Sequence, residues 1–266
     1  MSEDEYARRG IDLDKPNPAR VYDYILGGRL NYAVDRMFAD QVLAAQPNAR
    51  ERAQLNRQWL RRAIRFGMDN GIRQFLDIGS GMPTVGHVHE VAHAIDPTAR
   101  VVYVDNEPVA VAHSEIVLED NENAVMVHAD AEFPDDVLEH ETTEMMLDLD
   151  QPVMVVMALF VHFIPDERDP ARLIAAYRDA LAPGSYLAMS SATPEQQSDG
   201  TARAVAMYQK SANPVTPRTA DELRALVDGF EILDPGIVFI PEWRPEEAVP
   251  ANPAECGGLA LVARKN

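Results

Sequence analysis

The stretch that decides the fold spans residues 75–87 and reads Phe75-Leu76-Asp77-Ile78-Gly79-Ser80-Gly81-Met82-Pro83-Thr84-Val85-Gly86-His87. An apolar run from Gln74 to Ile78, with one acid inside it, predicts a buried strand that ends at Gly79. A helix over 84–95 is predicted next, because apolar residues recur there at helical spacing. Glycines at 79 and 81 allow a sharp turn and let a ligand approach backbone N–H groups at the positive end of that helix.

The glycine turn departs from the pattern that binds dinucleotides. That pattern requires a third small residue three positions after the second glycine, and this place is held by Thr84, after Pro83. Asp77 adds a negative charge at the strand end, which favours a cationic ligand over a pyrophosphate. The spacing D-x-G-x-G resembles the first motif of class I S-adenosylmethionine-dependent methyltransferases. On this motif alone, an ordinary glycine-rich turn of another α/β protein stays an open alternative.

Length and composition indicate a globular chain with a sizeable core. Its 266 residues allow one large domain, or one domain with an appendage, and 46% of them are hydrophobic. Lys and Arg number 24 against 43 Asp and Glu, so the formal net charge is −19. A field of this sign repels a polyanion, so we expect a small-molecule partner and no nucleic acid.

The cysteine count and the N-terminus indicate the compartment. Cys256 is the only cysteine, which excludes an intramolecular disulfide and a cysteine-based metal cluster and fits a reducing environment. The segment Met1-Ser2-Glu3-Asp4-Glu5 is acidic and lacks the apolar region of a signal peptide. No run approaches the roughly 18 apolar residues of a membrane-spanning helix. We therefore expect a cytoplasmic protein with no membrane partner.

The N-terminal part, residues 1–71, is predicted to be a helical lid or extension. Asn17-Pro18 begins a helix that Gly27-Gly28 ends, a second helix follows, and a third covers roughly 48–69. The third helix carries an arginine run that suggests nucleic-acid binding: Arg50, Arg52, Arg57, Arg61, Arg62 and Arg65. Given the net charge, a solvated face paired with acids elsewhere is the favoured interpretation of this run.

From residue 72 to 266 the pattern predicts the second unit, a Rossmann-like domain. Strands and helices alternate there, which indicates a parallel sheet with right-handed crossovers. The predicted strands are 73–78, 100–105, 124–129, 152–160 and 186–191, and Asn106 is the predicted cap of the helix after the second strand. Two final strands, about 230–239 and 258–264, follow each other without a helix, so they should be antiparallel neighbours.

Three acids stand at the ends of successive predicted strands. Asp77 belongs to the first, Asp105 ends the second and Asp130 follows the third. Asp105 lies 26 residues after Gly79, near the distance at which a carboxylate accepts both ribose hydroxyls of an adenosine. Asp130 then lies where a side chain can accept the exocyclic amine of adenine. Acids at loop starts are common, but the three together favour adenosine binding.

Longer segments strengthen the resemblance to a family. Beside the turn 74–84, they are Ala19-Arg20-Val21-Tyr22-Asp23-Tyr24-Ile25-Leu26-Gly27-Gly28, Asn56-Arg57, Val101-Val102-Tyr103-Val104-Asp105 and Ala182-Pro183-Gly184-Ser185-Tyr186-Leu187. Over about residues 11–265 the chain resembles a bacterial family of S-adenosylmethionine-dependent methyltransferases. The resemblance implies an α/β fold: a doubly wound, mostly parallel, seven-stranded Rossmann-like sheet with an antiparallel C-terminal strand and an N-terminal helical lid.

Pattern and resemblance together assign the contacts to the cofactor, S-adenosyl-L-methionine. The assigned residues are Tyr22, Asp77, Gly79, Gly81, Met82, Pro83, Thr84, Asp105, Asn106, Asp130, Ala131 and Ala158. Where the family pattern implies a Ser-His pair after the fifth strand, this chain has Ser190-Ser191-Ala192-Thr193.

Two groups of histidines allow more than one interpretation. His162 follows the fourth strand, where a general base would serve an oxygen or nitrogen acceptor, although a histidine hydrogen-bonded to loop backbone is slightly favoured. His89 and His93 have the i, i+4 spacing of a zinc pair. Without a third ligand nearby in sequence, a solvated or capping role is favoured, and we predict no metal.

The sequence thus predicts an enzyme that transfers a methyl group from S-adenosylmethionine to a small molecule. Positioning the two reactants can lower the barrier by about 7–11 kcal/mol, so a dedicated base is not required. The alternative is a non-catalytic regulatory protein that binds S-adenosylmethionine or a nucleotide. A nicotinamide-dependent dehydrogenase is a weaker third interpretation, which the Pro83-Thr84 departure disfavours.

Overall fold

In the computed structural model, which describes residues 11–83, 86–196 and 198–266, one sheet forms the centre of the chain. Its eight strands are β1 (Gln74–Ile78), β2 (Arg100–Asp105), β3 (Ala124–His128), β4 (Met154–Ala158), β5 (Tyr186–Ala192), β6 (Phe230–Ile232), β7 (Val238–Phe239) and β8 (Gly258–Lys265).

The strand order confirms the predicted topology. Neighbouring strands follow the order β3-β2-β1-β4-β5-β8-β6, and β7 pairs with β8. Strands β1 to β5 are parallel, whereas β8 is antiparallel to β5, β6 and β7. The order reverses between β1 and β4, and this switch point opens the crevice in which doubly wound folds bind their ligands.

Helices surround the sheet and precede it. The N-terminal helices are α1 (Pro18–Leu26), α2 (Ala33–Ala45) and α3 (Ala49–Asp69). Those that follow β1 are α4 (Val88–His93), α5 (Pro108–Leu118), α6 (Pro134–Leu138), α7 (Glu141–Met146), α8 (Pro170–Ala180), α9 (Asp199–Tyr208) and α10 (Ala220–Leu226). Short 3-10 turns cover Val161–Phe163, Asp166–Arg168, Ile240–Glu242 and Pro253–Cys256.

Two apolar layers bury the two faces of the sheet. On one face, Trp59 and Ile64 of α3 pack with Phe75 and Val101. On the other, residues of α8 and α10 pack against Leu76, Val104 and Met157. Strand β4 is buried on both faces, as its continuous apolar run predicts. Helix α3 is therefore part of the sheet's core, and of the three N-terminal helices α1 and α2 are left to cover the strand ends.

Three local predictions were wrong. The helix after the glycine turn begins at Val88 rather than 84, because Gly86 has a φ of +85°, which an α-helix does not contain. Asn106 does not cap α5; Glu107 does, accepting from the N–H of Val109. The predicted strand 230–239 is two strands, β6 and β7, because the N–H of Gly236 donates to Leu233 O and closes a turn between them.

Candidate functional site

A cavity of about 500 Å³ opens at the carboxyl ends of β1, β2, β4 and β5, below α1. The sequence-predicted site residues that line it are Tyr22, Asp77, Gly79, Gly81, Met82, Asp105, Asn106, Asp130, Ala131, Ala158 and His162. Pro83 lines a neighbouring cavity instead. Thr84 lies outside the described residues. Almost all of the predicted set therefore converges on one crevice, at the switch point of the sheet.

The turn after β1 requires both of its glycines. Gly79 has a φ of +65° and Gly81 a φ of +70°, which non-glycine residues rarely adopt. A Cβ at Gly79 would also lie 2.5 Å from the Phe160 ring. The N–H groups of Gly79 and Ser80 both donate to Val104 O, at 2.9 and 3.0 Å. The turn is thereby fixed to the end of β2.

Asp105 fixes the same turn from the other side. Its Oδ2 accepts from the Gly81 N–H at 2.7 Å, and its Oδ1 accepts from the Glu107 N–H at 2.8 Å. The side chain is buried, and burial raises the pKa of this carboxyl in spite of the two backbone donors. Asp105 is thus a positioned acceptor that joins the glycine turn to the loop after β2.

Asp77 is the most perturbed acid of the site. Burial raises the pKa of its carboxyl to about 7; Arg57 opposes this shift and the neighbouring Asp105 adds to it. A buried carboxyl next to a second carboxyl gains most from a cation, because a cation stabilises the charged form of both. The electrostatics at the end of β1 therefore suit a ligand with a positive charge.

The loop after β3 forms the far wall of the cavity. Asp130 Oδ1 accepts from the Glu132 N–H at 3.0 Å, and Ala131 O accepts from the Tyr177 hydroxyl at 2.9 Å. Glu132 itself forms an ion pair with Arg168. These contacts hold Asp130 and the Ala131 backbone against the cavity.

The end of β4 is strained where it meets the cavity. Leu159 has a φ of +55°, an arrangement that costs a non-glycine residue roughly 1–2 kcal/mol. Its N–H donates to Ser190 O and Oγ, at 3.0 and 3.1 Å. The Ser190 hydroxyl in turn donates to Asn56 Oδ1 at 2.8 Å. This network joins α3 to the ends of β4 and β5, and strain of this kind clusters at functional sites.

His162 is held by the backbone at the end of β5. Its Nδ1 accepts from the N–H of Ala192 at 3.2 Å, so the neutral ring carries its proton on Nε2. Burial, with Arg218 nearby, lowers the pKa of the imidazole to about 3. The alternative interpretation of His162 expects a contact with loop backbone; the contact is with backbone, but at the last residue of a strand. A ring with this tautomer and pKa is a weak general base.

Helix α1 is fixed above the cavity by buried polar contacts. The Tyr22 hydroxyl donates to Ala53 O at 3.0 Å. Arg20 is buried and forms ion pairs with Asp35 at 2.9 Å and with Glu107 at 3.0 Å. Asp23 accepts from the N–H of Leu30 at 2.8 Å and closes the loop around the glycine pair.

Sequence reasoning missed several residues that line the cavity. The clearest is Arg52, which the interpretation of the arginine run placed on a solvated face. That interpretation holds for Arg65, whose exposed side chain pairs with Glu246, but it is wrong for Arg52. The helical period indicates that Arg52 faces inward, because Arg52 lies four residues before Asn56 and seven before Trp59, on the same face of the helix, and both of those residues are buried.

The three histidines near the glycine turn have partners other than a metal. His89 Nδ1 lies 2.7 Å from the Tyr103 hydroxyl, and His93 Nε2 donates to Ala99 O at 2.8 Å. Among the residues that the structure describes, no group of three or more metal-ligating side chains converges.

The sheet order and the crevice at its switch point, with a glycine turn and three acids at successive strand ends, define an S-adenosylmethionine-dependent methyltransferase of class I. The comparisons agree. A model of the S-adenosyl methyltransferase family matches residues 4–266, so the chain belongs to that family. Its cofactor is S-adenosylmethionine. The chain is therefore a methyltransferase and not a nicotinamide-dependent dehydrogenase. Nothing in the comparisons favours the alternative of a non-catalytic regulatory protein.

Solved structures of similar proteins support the assignment. A protein from Thermobifida fusca YX described as a methyltransferase is 37% identical, with 97% of each chain covered and a TM-score of 0.91. A DUF574-family protein from Streptomyces avermitilis MA-4680 is 34% identical, covering 96% of this chain and 99% of its own, with a TM-score of 0.90. No curated protein matches the sequence.

A more distant structure shares the fold alone. It is a SAM-dependent methyltransferase from Methanosarcina mazei, 17% identical, with a TM-score of 0.51 over 75% of this chain and 96% of its own. In the part of the chain that the structure describes, no helix is both long and apolar enough to span a membrane.

Proposed function

We propose that this enzyme methylates a small-molecule acceptor, and that the cavity above the strand ends holds both the cofactor and that acceptor. The observation that carries the proposal is the convergence of Asp77, Asp105 and Asp130 on one cavity of about 500 Å³. Ligand cavities of roughly 300–1,000 Å³ bury one drug-sized molecule. The size supports the cofactor with a compact acceptor, and the net charge of −19 disfavours a nucleic acid.

The residues present fit S-adenosylmethionine. The cofactor supplies an electrophilic methyl group: the acceptor's lone pair forms the new bond as the carbon–sulfur bond breaks, and the bonding pair returns to sulfur. Asp77 is assigned to the cationic amino-acid end of the cofactor, since burial destabilises its charged carboxylate and a positive partner would stabilise it. Asp105 is assigned to the ribose hydroxyls and Asp130 to the adenine amine. Gly79 and Gly81 let the ligand approach the backbone.

The remaining assigned residues shape the walls. Tyr22 faces the cofactor from α1, Met82 and Ala131 line the adenosine half, and Asn106 and Ala158 border the ends of β2 and β4. Pro83 and Thr84 stay assigned from the sequence, as the continuation of the turn. His162 contributes an Nε2–H donor and a buried wall, and a proton lost by the acceptor passes to solvent.

The N-terminal helices are proposed to exclude water from the reacting atoms. Residues 17–46 contribute Asn17, Ala19, Tyr22, Ile25 and Val42 to the cavity, which supports a lid formed by α1 and α2 of the predicted unit 1–71, while α3 packs in the core of the domain 72–266. Excluding water strengthens the electrostatic contacts inside a site and shapes the acceptor pocket.

Thermal unfolding with candidate cofactors tests the proposal. S-adenosylhomocysteine at 100 times its dissociation constant should add about 2.7 kcal/mol to the free energy of unfolding, and NAD should add nothing. A shift with NAD and none with S-adenosylhomocysteine would overturn the assignment of the site.

A further inference from the structure

We infer that the acceptor carries a carboxylate, and that Arg52 binds it; the inference rests on the proposed function, since it assigns the second half of the same cavity. The sheet order separates the side of the cavity assigned to the cofactor from the side assigned to the acceptor. The carboxylates that line the cavity lie on α1 and at the ends of β1, β2 and β3, whereas Arg52 lies beside the end of β5 and the start of β8.

Arg52 is anchored by backbone and hydroxyl groups rather than by an acid. Its Nε donates to Cys256 O, and its Nη1 donates to Thr201 Oγ1 at 2.9 Å. Among the described residues, no carboxylate contributes to its electrostatic surroundings, and burial lowers the pKa of its guanidinium to about 10, so it stays charged at pH 7. A partly buried cation with no acid of the described chain beside it gains from binding an anion.

The guanidinium keeps donors for such an anion. Of its five N–H groups, hydrogen bonds with described residues take two, and Nη2 makes none of them. A planar fork with free donors matches a carboxylate in two-point contact. The Thr201 hydroxyl does not replace such an anion, because its Oγ1 accepts from Gln46 Nε2 at 2.9 Å as well as from Arg52.

The backbone next to Arg52 is shaped to admit the guanidinium. Gly257 has a φ of +60°, and a Cβ at this position would collide with the Arg52 guanidinium. The side chain therefore passes closely against the end of the 3-10 turn and reaches the cavity beyond it, where both Arg52 and Gly257 are lining residues.

Apolar and aromatic side chains line the cavity together with Arg52 and its polar neighbours Gln46 and Thr201. They are Val42 of α2, Val205 and Tyr208 of α9, and Phe163 and Val215. Burial raises the pKa of the Tyr208 hydroxyl, so that side chain stays neutral. A cation fixed in a cavity that also has apolar and aromatic walls favours a small apolar or aromatic carboxylic acid.

Matched pairs of fragments test the inference. The probes are benzoate with benzamide, and indole-3-acetate with indole-3-acetamide, titrated by ligand-observed NMR with saturating S-adenosylhomocysteine and again without it. Wild-type protein should bind at least one acid about tenfold or more tightly than its amide, the difference expected of a charge-assisted two-point contact. Arg52→Gln should abolish that preference, and Arg52→Lys should keep part of it.

Arg62→Gln is the matched control. Arg62 lies on the same helix and also donates to backbone carbonyls, those of Trp243 and Ile240, but it does not line the cavity. This variant should keep the acid preference. If Arg52→Gln fails to fold, the wild-type and Arg52→Lys ratios decide the question.

The inference is overturned if wild-type protein binds no acid at all, or binds no acid better than its amide. It is also overturned if Arg52→Gln keeps the preference for the acid. Calorimetry with S-adenosylhomocysteine is run first. Failure there contradicts the proposed function, whereas cofactor binding without an acid preference contradicts only the role of Arg52.

Discussion

Arg20 Nη1 lies 3.0 Å from Glu107 Oε1, and this buried ion pair joins helix α1 to the loop after β2. Glu107 is two residues beyond Asp105, and its N–H donates to the Asp105 carboxylate. The same arginine pairs with Asp35 at the start of α2. A single guanidinium thus couples the helices above the cavity to the loop assigned to the ribose.

We expect Arg20→Met to destabilise the fold strongly. The substitution leaves the carboxylates of Asp35 and Glu107 buried without their cation, and breaking a buried pair in this way costs about 3–5 kcal/mol. Urea unfolding followed by circular dichroism measures the loss. Arg65→Met is the control, since the Arg65–Glu246 pair is exposed and such pairs contribute about 0–1 kcal/mol. Equal losses in both variants would contradict the coupling.

Asp105→Ala should weaken both the glycine turn and cofactor binding. The carboxylate accepts from the N–H groups of Gly81 and Glu107, and hydrogen bonds to charged groups contribute roughly 1.5–3 kcal/mol each. The affinity for S-adenosylhomocysteine should fall about tenfold or more. Asp96→Ala is the control, because Asp96 also accepts from backbone, at Thr98, but lies outside the cavity. Unchanged affinity in Asp105→Ala would move the adenosine site elsewhere.

Cofactor binding should release a proton near neutral pH. The pKa of Asp77 is raised to about 7 in the folded protein. The contribution of its protonated carboxyl to the stability of the fold is therefore fully present below about pH 4 and is lost as the pH rises through about 7. A cationic ligand lowers that pKa, so the affinity should rise about tenfold between pH 6 and pH 8.

Calorimetry in buffers of different ionisation enthalpy measures this proton. Asp77→Asn should abolish both the proton release and the pH dependence. Wild-type binding without a proton would show that the ligand's positive charge lies away from Asp77.

His162 should remain neutral wherever the enzyme is folded. Its pKa is lowered to about 3, so its contribution to stability is present above about pH 6.5, the ordinary value, and is lost as the pH falls towards 3. Nitrogen-15 NMR should find the Nε2–H tautomer, because Nδ1 accepts from Ala192. A ring that titrates between pH 6 and 8 would restore the general-base interpretation.

The sequence predicted the sheet and the convergence of the three acids on one cavity because their signals are local. The apolar runs defined the strands, and strand ends in a parallel sheet meet at one edge, so Asp77, Asp105 and Asp130 were brought together by topology alone. The same reasoning placed the antiparallel final strands correctly, since no helix connects them.

The part of the cavity around Arg52 could not be predicted in this way, because its contacts join residues distant in sequence. Arg52 meets Thr201 and Cys256, and Asn56 meets Ser190. The helical period shows that Arg52 shares a face with buried residues, but which loop covers that face depends on tertiary packing. The sequence predicts Asn106 as the cap of α5, because Asn is a favoured N-cap residue, whereas the cap in the structure is Glu107, which also forms the ion pair with Arg20.

The central claim is that the cofactor lies between α1 and the strand ends, and hydrogen exchange with S-adenosylhomocysteine tests it most directly. Amides of 17–46, 79–83 and 105–106 should gain protection together, and the gain over 17–46 should shrink in Tyr22→Ala, because Tyr22 lines the cavity from α1. Protection at 79–83 and 105–106 with none over 17–46 would contradict the account, and a partner protein or second subunit would then have to cover the site.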